Sequence, residues 1–332
     1  MRTRDVVSSG LAAAVVAIVV GAGAAGQGQA ADQTLRFGHM WPPESGWGQA
    51  SQKFADLVEE RTGGRYEVRV FPQGQLGNER ELEEGLQIGN LDFTFGGPGV
   101  LTNFDPLIGI FDMPFMFESY EHGNAVMDGP IGREVFDSLR DNAGIRVLAS
   151  GAQGFRYVLT RDRPVASIED IRGLKIRVPE AETFLETFRL IGANPVPIPW
   201  GETYTAVQTG VADGLEGVPE ALRNFKMYEV GKHAARTGHI LATLQLLVSE
   251  RTYQALPDDV KAIVDEAARE AWHAQRDAAQ VDNAAAEEEL GGHGVTFTDI
   301  DIAPFQEAVR PFWDQWSEKT GAGDLVEAVR AM

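Results

Sequence analysis

The chain of 332 residues contains no cysteine. That excludes disulfide staples, lipid attachment through cysteine, and all thiolate-based catalysis or metal binding. Stability has to come from an ordinary apolar core. Basic residues are scarce, with 29 Lys and Arg against 49 Asp and Glu, a formal net charge of −20. A surface of that sign repels nucleic acid and anionic lipid, so neither is expected as a partner. Any anion site must then be a local exception to the overall field, which gives specifically placed arginines more weight. The familiar chemical signatures are missing too. There is no Walker loop, no serine nucleophile elbow and no His-Glu-x-x-His, and the histidines (His39, His122, His233, His239, His273, His293) do not pair at metal-ligand spacing. One formal dinucleotide fingerprint, Gly21 to Gly26, lies in the N-terminal leader and follows no strand, so it is a decoy. No catalytic residues, metal site or cofactor are expected, and the chain does not read as an enzyme.

What is present begins with that leader. Arg2 and Arg4 precede an apolar stretch from Leu11 to Val20 and a small-residue zone from Ala24 to Ala31. This order is that of a cleavable signal peptide over residues 1–31, and it points to export. The remaining 300 or so residues exceed one usual core, so two domains are the default. A β-α-β-α-β order is legible from Thr34 to Phe95, and a second α/β unit of similar make starts after Gly151. Strands are expected at Ile145 to Ala149, Phe155 to Leu159 and Leu174 to Val178. His239 to Val248 reads as one long apolar strand able to cross back between the units. Asp258 to Leu290 has neither proline nor glycine and predicts a helix of roughly 45 Å, long enough to span both. A final helix over Asp301 to Lys319 would bury Phe305, Val309, Phe312, Trp313 and Trp316.

Two arginines stand at the ends of strand-like runs: Arg156 after Gly151-Ala-Gln-Gly-Phe155, and Arg177 within Gly173-Leu-Lys-Ile-Arg-Val-Pro179. A guanidinium is a rigid fork that grips a carboxylate through two parallel hydrogen bonds, so fixed arginines beside a cleft suit an organic anion. Taken singly, each arginine also reads as a surface or salt-bridge residue. His39 and His239 sit at strand ends within reach of a cleft, and either also reads as a packed or capping residue.

With these segments in view, the chain resembles the solute-binding proteins of tripartite ATP-independent periplasmic (TRAP) transporters, the DctP-like family. The likeness runs through Phe37-Gly38-His39, Phe71-Pro-Gln-Gly-Gln-Leu-Gly77, Met113-Pro-Phe-Met-Phe117, Gly173 to Pro179, Gly192-Ala-Asn-Pro195, Glu202 to Gly210 and Tyr228 to Lys232. It implies an α/β, periplasmic-binding-protein-like fold: two α/β domains joined by hinge crossings, with a long helix spanning both. The expected division is 32–153 with 243–282 as one domain and 154–242 with 283–332 as the other. The resemblance also implies a location in the periplasm and a task there: capture of an organic acid in the interdomain cleft of a monomer and its delivery to small and large integral-membrane permease subunits. Sensing for a membrane receptor, or enzymatic turnover of a bound carboxylate, are the alternatives.

By the same resemblance Arg177 clamps the substrate carboxylate, Arg156 is a second cationic contact, and Trp200 is an aromatic over the ligand. Phe155, His39 and Gly97 complete the expected surroundings. The sequence departs from the family pattern in three places. Leu215-Glu216-Gly217-Val218 replaces the frequent Gln-Glu-Asn-Pro, so Gly217 lacks the usual Asn hydrogen bond. Glu180 follows Arg177-Val-Pro179 where relatives often carry a neutral residue. Gly97 stands where sialic-acid-type relatives carry an acid. Carboxylates at Glu180 and Glu216 would suit hydroxyl donors or a cationic group on the substrate. A hydroxylated or sugar-derived acid is therefore expected ahead of a plain C4-dicarboxylate.

Overall fold

The computed structural model describes residues 33–332; the leader and its cleavage site lie outside the described residues. The strands in chain order are β1 (Gln33–Gly38), β2 (Tyr66–Phe71), β3 (Phe93–Gly96), β4 (Ile145–Phe155), β5 (Tyr157–Thr160), β6 (Lys175–Val178), β7 (Asn194–Pro197), β8 (Gly214–Gly217), β9 (His233–Ala235), β10 (Leu241–Ser249) and β11 (Thr296–Thr298). They form two sheets, ordered β2-β1-β3-β10-β4 and β11-β9-β5-β8-β6-β7. In the first, β1 is parallel to β2 and β3, and β10 is antiparallel to β3 and β4. In the second, β6 is parallel to β7 and β8, while β5 runs antiparallel to β8 and β9. Each sheet carries helices and its own apolar clusters, giving two α/β lobes.

Local chemistry accounts for the elements that matter most. All nine residues of β10 are buried, which is why Leu-Ala-Thr-Leu-Gln-Leu-Leu-Val reads as a continuous apolar run. The helix Glu79–Ile88 starts with a reciprocal capping box. Asn78 Oδ1 accepts from the Glu81 N–H at 3.0 Å, and the Glu81 carboxylate accepts from the Asn78 N–H at 2.8 Å. It stops at Gly89, whose φ of 75° closes the helix without a Cβ penalty. This cap fixes Glu79 at the first helical position.

The chain passes between the lobes with no linker. β4 ends at Phe155 in one sheet and β5 begins at Tyr157 in the other, leaving Arg156 alone at the joint. The expected strand over Phe155 to Leu159 thus starts two residues later, because Phe155 continues the ladder with Leu241. The return passage is made by residues 236–240, and β10 itself belongs wholly to the first sheet. The two passages lie side by side: the Arg156 N–H donates to the Ile240 carbonyl at 2.9 Å, and the Thr237 hydroxyl donates to the Arg156 carbonyl at 3.3 Å.

The long helix spans 35 residues, Asp258–Gly292, about 52 Å at 1.5 Å per residue. Val260, Val264, Ala268 and Trp272 pack with Phe37, Phe54, Phe95 and Leu246 against the first sheet. Leu290, near its far end, packs with Leu159, Val207 and Leu215 of the second. Between these zones Asn283 donates to the Gln153 carbonyl at 2.7 Å and accepts from the Glu220 N–H at 3.0 Å, tying the helix to both lobes. The helix Ala303–Thr320 bridges them as well. Phe305 and Val309 join Ile176 and Phe188, while Phe312 and Trp316 join Leu101, Ile110 and Met113. Trp313 is half-buried and donates to the Pro114 carbonyl at 3.0 Å. Among the described residues no helix is long and apolar enough to cross a membrane.

Candidate functional site

Four parallel strands, β1, β3, β6 and β8, point their carboxyl ends toward one cavity between the lobes, where open α/β sheets place ligands. It encloses about 670 Å³ of atom-free space, its mouth included. The first lobe supplies Trp41, Glu79, Gly97 to Val100, Asp112, Gln153 and Thr243. The second supplies Arg177, Pro179, Phe184, Trp200, Gly217 and Ala221, and Arg156 enters from the joint.

Arg177 projects from β6, where Ile176 and Val178 are buried in the core, and it is 1% exposed. Its Nε donates to the Ile198 carbonyl at 2.8 Å, and its guanidinium lies 5.1 Å from the Trp200 ring centre. Nη1 is buried and has no partner among the described residues. Burial, partly offset by Glu216 and Glu79, pulls its pKa down to about 10, so it remains charged at neutral pH. Arg156 is arranged differently. Its fork grips Glu216 through two parallel bonds, Nε to Oε2 and Nη2 to Oε1 (2.7 Å), and it lies 5.1 Å from the Phe184 ring centre. Glu216 is fully buried. Burial opposes its ionisation, but Arg156 and a hydrogen bond from His239 outweigh that and hold it at about 2. His239 sits 3.4 Å from Glu216 and 2.7 Å from the Thr237 hydroxyl, and burial lowers its pKa. Arg156 is thus neutralised internally, while Arg177 is an uncommitted cation facing the cavity.

The cavity gathers five of the expected residues: Arg177, Arg156, Trp200, Gly217 and Gly97. Trp200 and Trp41 both meet Phe225 edge-on, at 5.1 and 5.3 Å, so an aromatic wall runs across the two lobes. The other four are elsewhere. Glu216 lies behind Arg156, with both oxygens engaged. Glu180 lines a smaller adjoining recess with Glu79, Arg80 and Arg177. Phe155 packs edge-on against Tyr120 at 5.8 Å. His39 is buried against Phe95, shares a 3.0 Å hydrogen bond with Ser51, and is held neutral by burial, which lowers it to about 4.

Sequence reasoning missed Glu79, Asp112, Gln153, Trp41 and Phe184. Asp112 is 2% exposed and its Oδ2 has no partner among the described residues. Burial pushes it up to about 7, against Arg156 and reinforced by Glu216. Burial also raises Glu79, with Arg177 and Arg156 opposing. Gln153 Nε2 is likewise buried and unpartnered. The Asn78-x-x-Glu81 capping pattern sets where the Glu79 helix starts but says nothing of the cavity Glu79 faces. Among the described residues no cluster of His, Asp and Glu is arranged to hold a metal ion.

The family model described as bacterial extracellular solute-binding protein, family 7, matches residues 37–320. A solute-binding protein of Verminephrobacter eiseniae is 35% identical over 304 residues, covering 91% of this chain and 90% of the relative. A TRAP periplasmic solute-binding protein of a Polaromonas species, solved with bound D-erythronate, is similar at TM-score 0.87 and 32% identity, covering 90% of this chain and 99% of that one. Another from Xanthobacter autotrophicus, with bound β-D-galacturonate, gives TM-score 0.86 at 31% identity, with 90% and 99% covered.

Proposed function

We infer the function from one premise: the chain belongs to family 7 of the bacterial extracellular solute-binding proteins, the binding components of TRAP transporters, and members of this family are periplasmic transport proteins, not enzymes. In this reading the protein captures a hydroxylated monocarboxylate, such as a sugar acid, between its lobes. Arg177 anchors the carboxylate. The observation that carries the reading is the buried Nη1 of Arg177, which is unpartnered and borders the cavity. A buried charge without a counter-ion is costly, so the site is incomplete until an anion fills it. Because Glu216 already consumes Arg156, one cation remains for the ligand, which favours one carboxylate over two. Trp41, Trp200 and Phe184 offer apolar faces to the carbon skeleton.

The lobes, divided near the Arg156 and 236–240 passages, close over the ligand and present it to small and large permease subunits in the membrane. The leader over 1–31 directs export. Neighbouring structures holding D-erythronate and β-D-galacturonate support a sugar acid as the ligand class. Thermal-shift screening of a carboxylate panel tests this, since a ligand at 100 times its dissociation constant adds about 2.7 kcal/mol. Hydroxylated monocarboxylates should bind at least about tenfold more tightly than succinate, or 1.4 kcal/mol. Equal or tighter binding of succinate would instead assign plain dicarboxylate transport.

A further inference from the structure

We propose that Asp112 reads a hydroxyl of the bound acid, accepting its hydrogen bond at Oδ2 and so setting the preference for hydroxylated over deoxygenated carboxylates. This rests on capture of a hydroxy acid in the same cavity. Asp112 ends the 3-10 turn Pro106–Asp112, and the turn carries it to the cavity wall. An ionised carboxylate that is 2% exposed with an unpartnered oxygen is expensive to keep, which is why burial raises its pKa to about 7, and a hydrogen-bond donor on the ligand would relieve that cost. The nearest internal candidate, Arg156, faces it but has its fork occupied by Glu216. Glu216 faces it as well and adds only repulsion.

Residue 99 is glycine, which lets its backbone come close to this carboxylate: a Cβ there would sit 3.4 Å from Oδ2 and 3.3 Å from both Ala181 Cβ and the Phe184 ring. Gln153, which lines the same cavity, has a buried Nε2 donor with no partner among the described residues. A lone donor and a lone acceptor lining one cavity match a hydroxylated ligand, whose hydroxyls both accept and donate; an ammonium only donates and would leave Gln153 unanswered.

The test is calorimetry with D-galacturonate or D-erythronate, whichever binds wild type more tightly, alongside each of its monodeoxy analogues. A site built around a hydroxyl rejects the analogue lacking it strongly. Wild type should bind one deoxy analogue at least about 30-fold more weakly than the parent. In Asp112→Ala the parent should lose a similar factor, and its advantage over that analogue should shrink to about threefold or less. Asp112→Asn, which keeps shape and one acceptor, should fall between. Gly99→Ala, which leaves the carboxylate intact and crowds it together with Phe184, should narrow the same discrimination. Equal weakening of every ligand in Asp112→Ala, or undiminished discrimination, overturns the proposal while leaving the hydroxy-acid reading intact. A folded wild type that binds no hydroxy acid overturns both.

Discussion

Replacing Arg177 with methionine should cut ligand affinity while leaving the empty protein as stable as before, or more so. In the liganded protein the change removes a charge-assisted fork on a desolvated carboxylate. That costs about 2–5 kcal/mol, roughly 30-fold to several thousand-fold in dissociation constant. In the empty protein the balance is different. The guanidinium gives up a hydrogen bond to the Ile198 carbonyl, about 1 kcal/mol, and its stacking on Trp200, about 1–2 kcal/mol. Against these stands the several kcal/mol spent in holding a buried charge with no carboxylate in hydrogen-bond contact, a burial only partly offset by Glu216 and Glu79 and the one that lowers its pKa to about 10. Methionine has comparable reach and fills irregular space without that penalty. Calorimetry on the ligand and urea denaturation of the ligand-free protein separate the two effects. Arg177→Lys should recover only part of the affinity, because a point charge lacks the fork. Unchanged affinity together with a clear loss of ligand-free stability in Arg177→Met would make Arg177 a structural residue and refute the reasoning.

Two further outcomes are expected. Glu216 is depressed to about 2 in the folded chain, against about 4.3 when unfolded, so its stabilisation is complete above about pH 4.3 and lost as pH falls from there toward 2. Glu216→Gln should remove that acid dependence and, by stranding Arg156, destabilise the protein by about 3–5 kcal/mol at neutral pH in urea titrations; unchanged neutral stability would show that the pair is dispensable. Solution scattering should register a smaller radius of gyration when a tight-binding acid is added, as the lobes close about the Arg156 and 236–240 passages. An identical value with and without ligand would mean a rigid cavity.

The sequence made some parts of this molecule easy to read and others opaque, for identifiable reasons. Tyr66 to Phe71 alternates, β10 is apolar throughout, and the 258–290 run lacks breakers, so strand, buried strand and long helix were each legible. The stretch from Pro98 to Ala143 was not. Up to Asp128 it folds into short helices and a 3-10 turn whose apolar residues follow no sustained period, with Pro106 and Pro114 interrupting it, whereas the helix Pro130–Ala143 does bury a regular stripe of Ile131, Val135, Leu139 and Ala143. At the site, Arg177 and Trp200 could be placed because they lie on or beside a strand end. Glu216 was expected among the ligand contacts and instead lies behind Arg156. Alternation along Leu215-Glu216-Gly217 says which face a side chain takes and nothing about the Arg156 fork opposite, which comes from the joint between β4 and β5, 60 residues away. Asp112 and Glu79 were invisible for the same reason. A single carboxylate in a loop or first helical turn reads as solvated until the fold buries it.

The order of strands in the first sheet also governs how this chain can acquire its structure. β10 lies between β3 and β4, yet it is made after nearly the whole second lobe. Until Leu241–Ser249 is available, β3 and β4 have no common neighbour and their edges stay unpaired. The first lobe is encoded early and completed late, and the helix that seals it comes later still, at Asp258–Gly292. Pairings so distant along the chain must meet their loop-closure cost before they return any stability, which slows folding. The β2-β1-β3 half of the sheet can pair early, but β4 joins it only once β10 arrives, when most of the chain has been made.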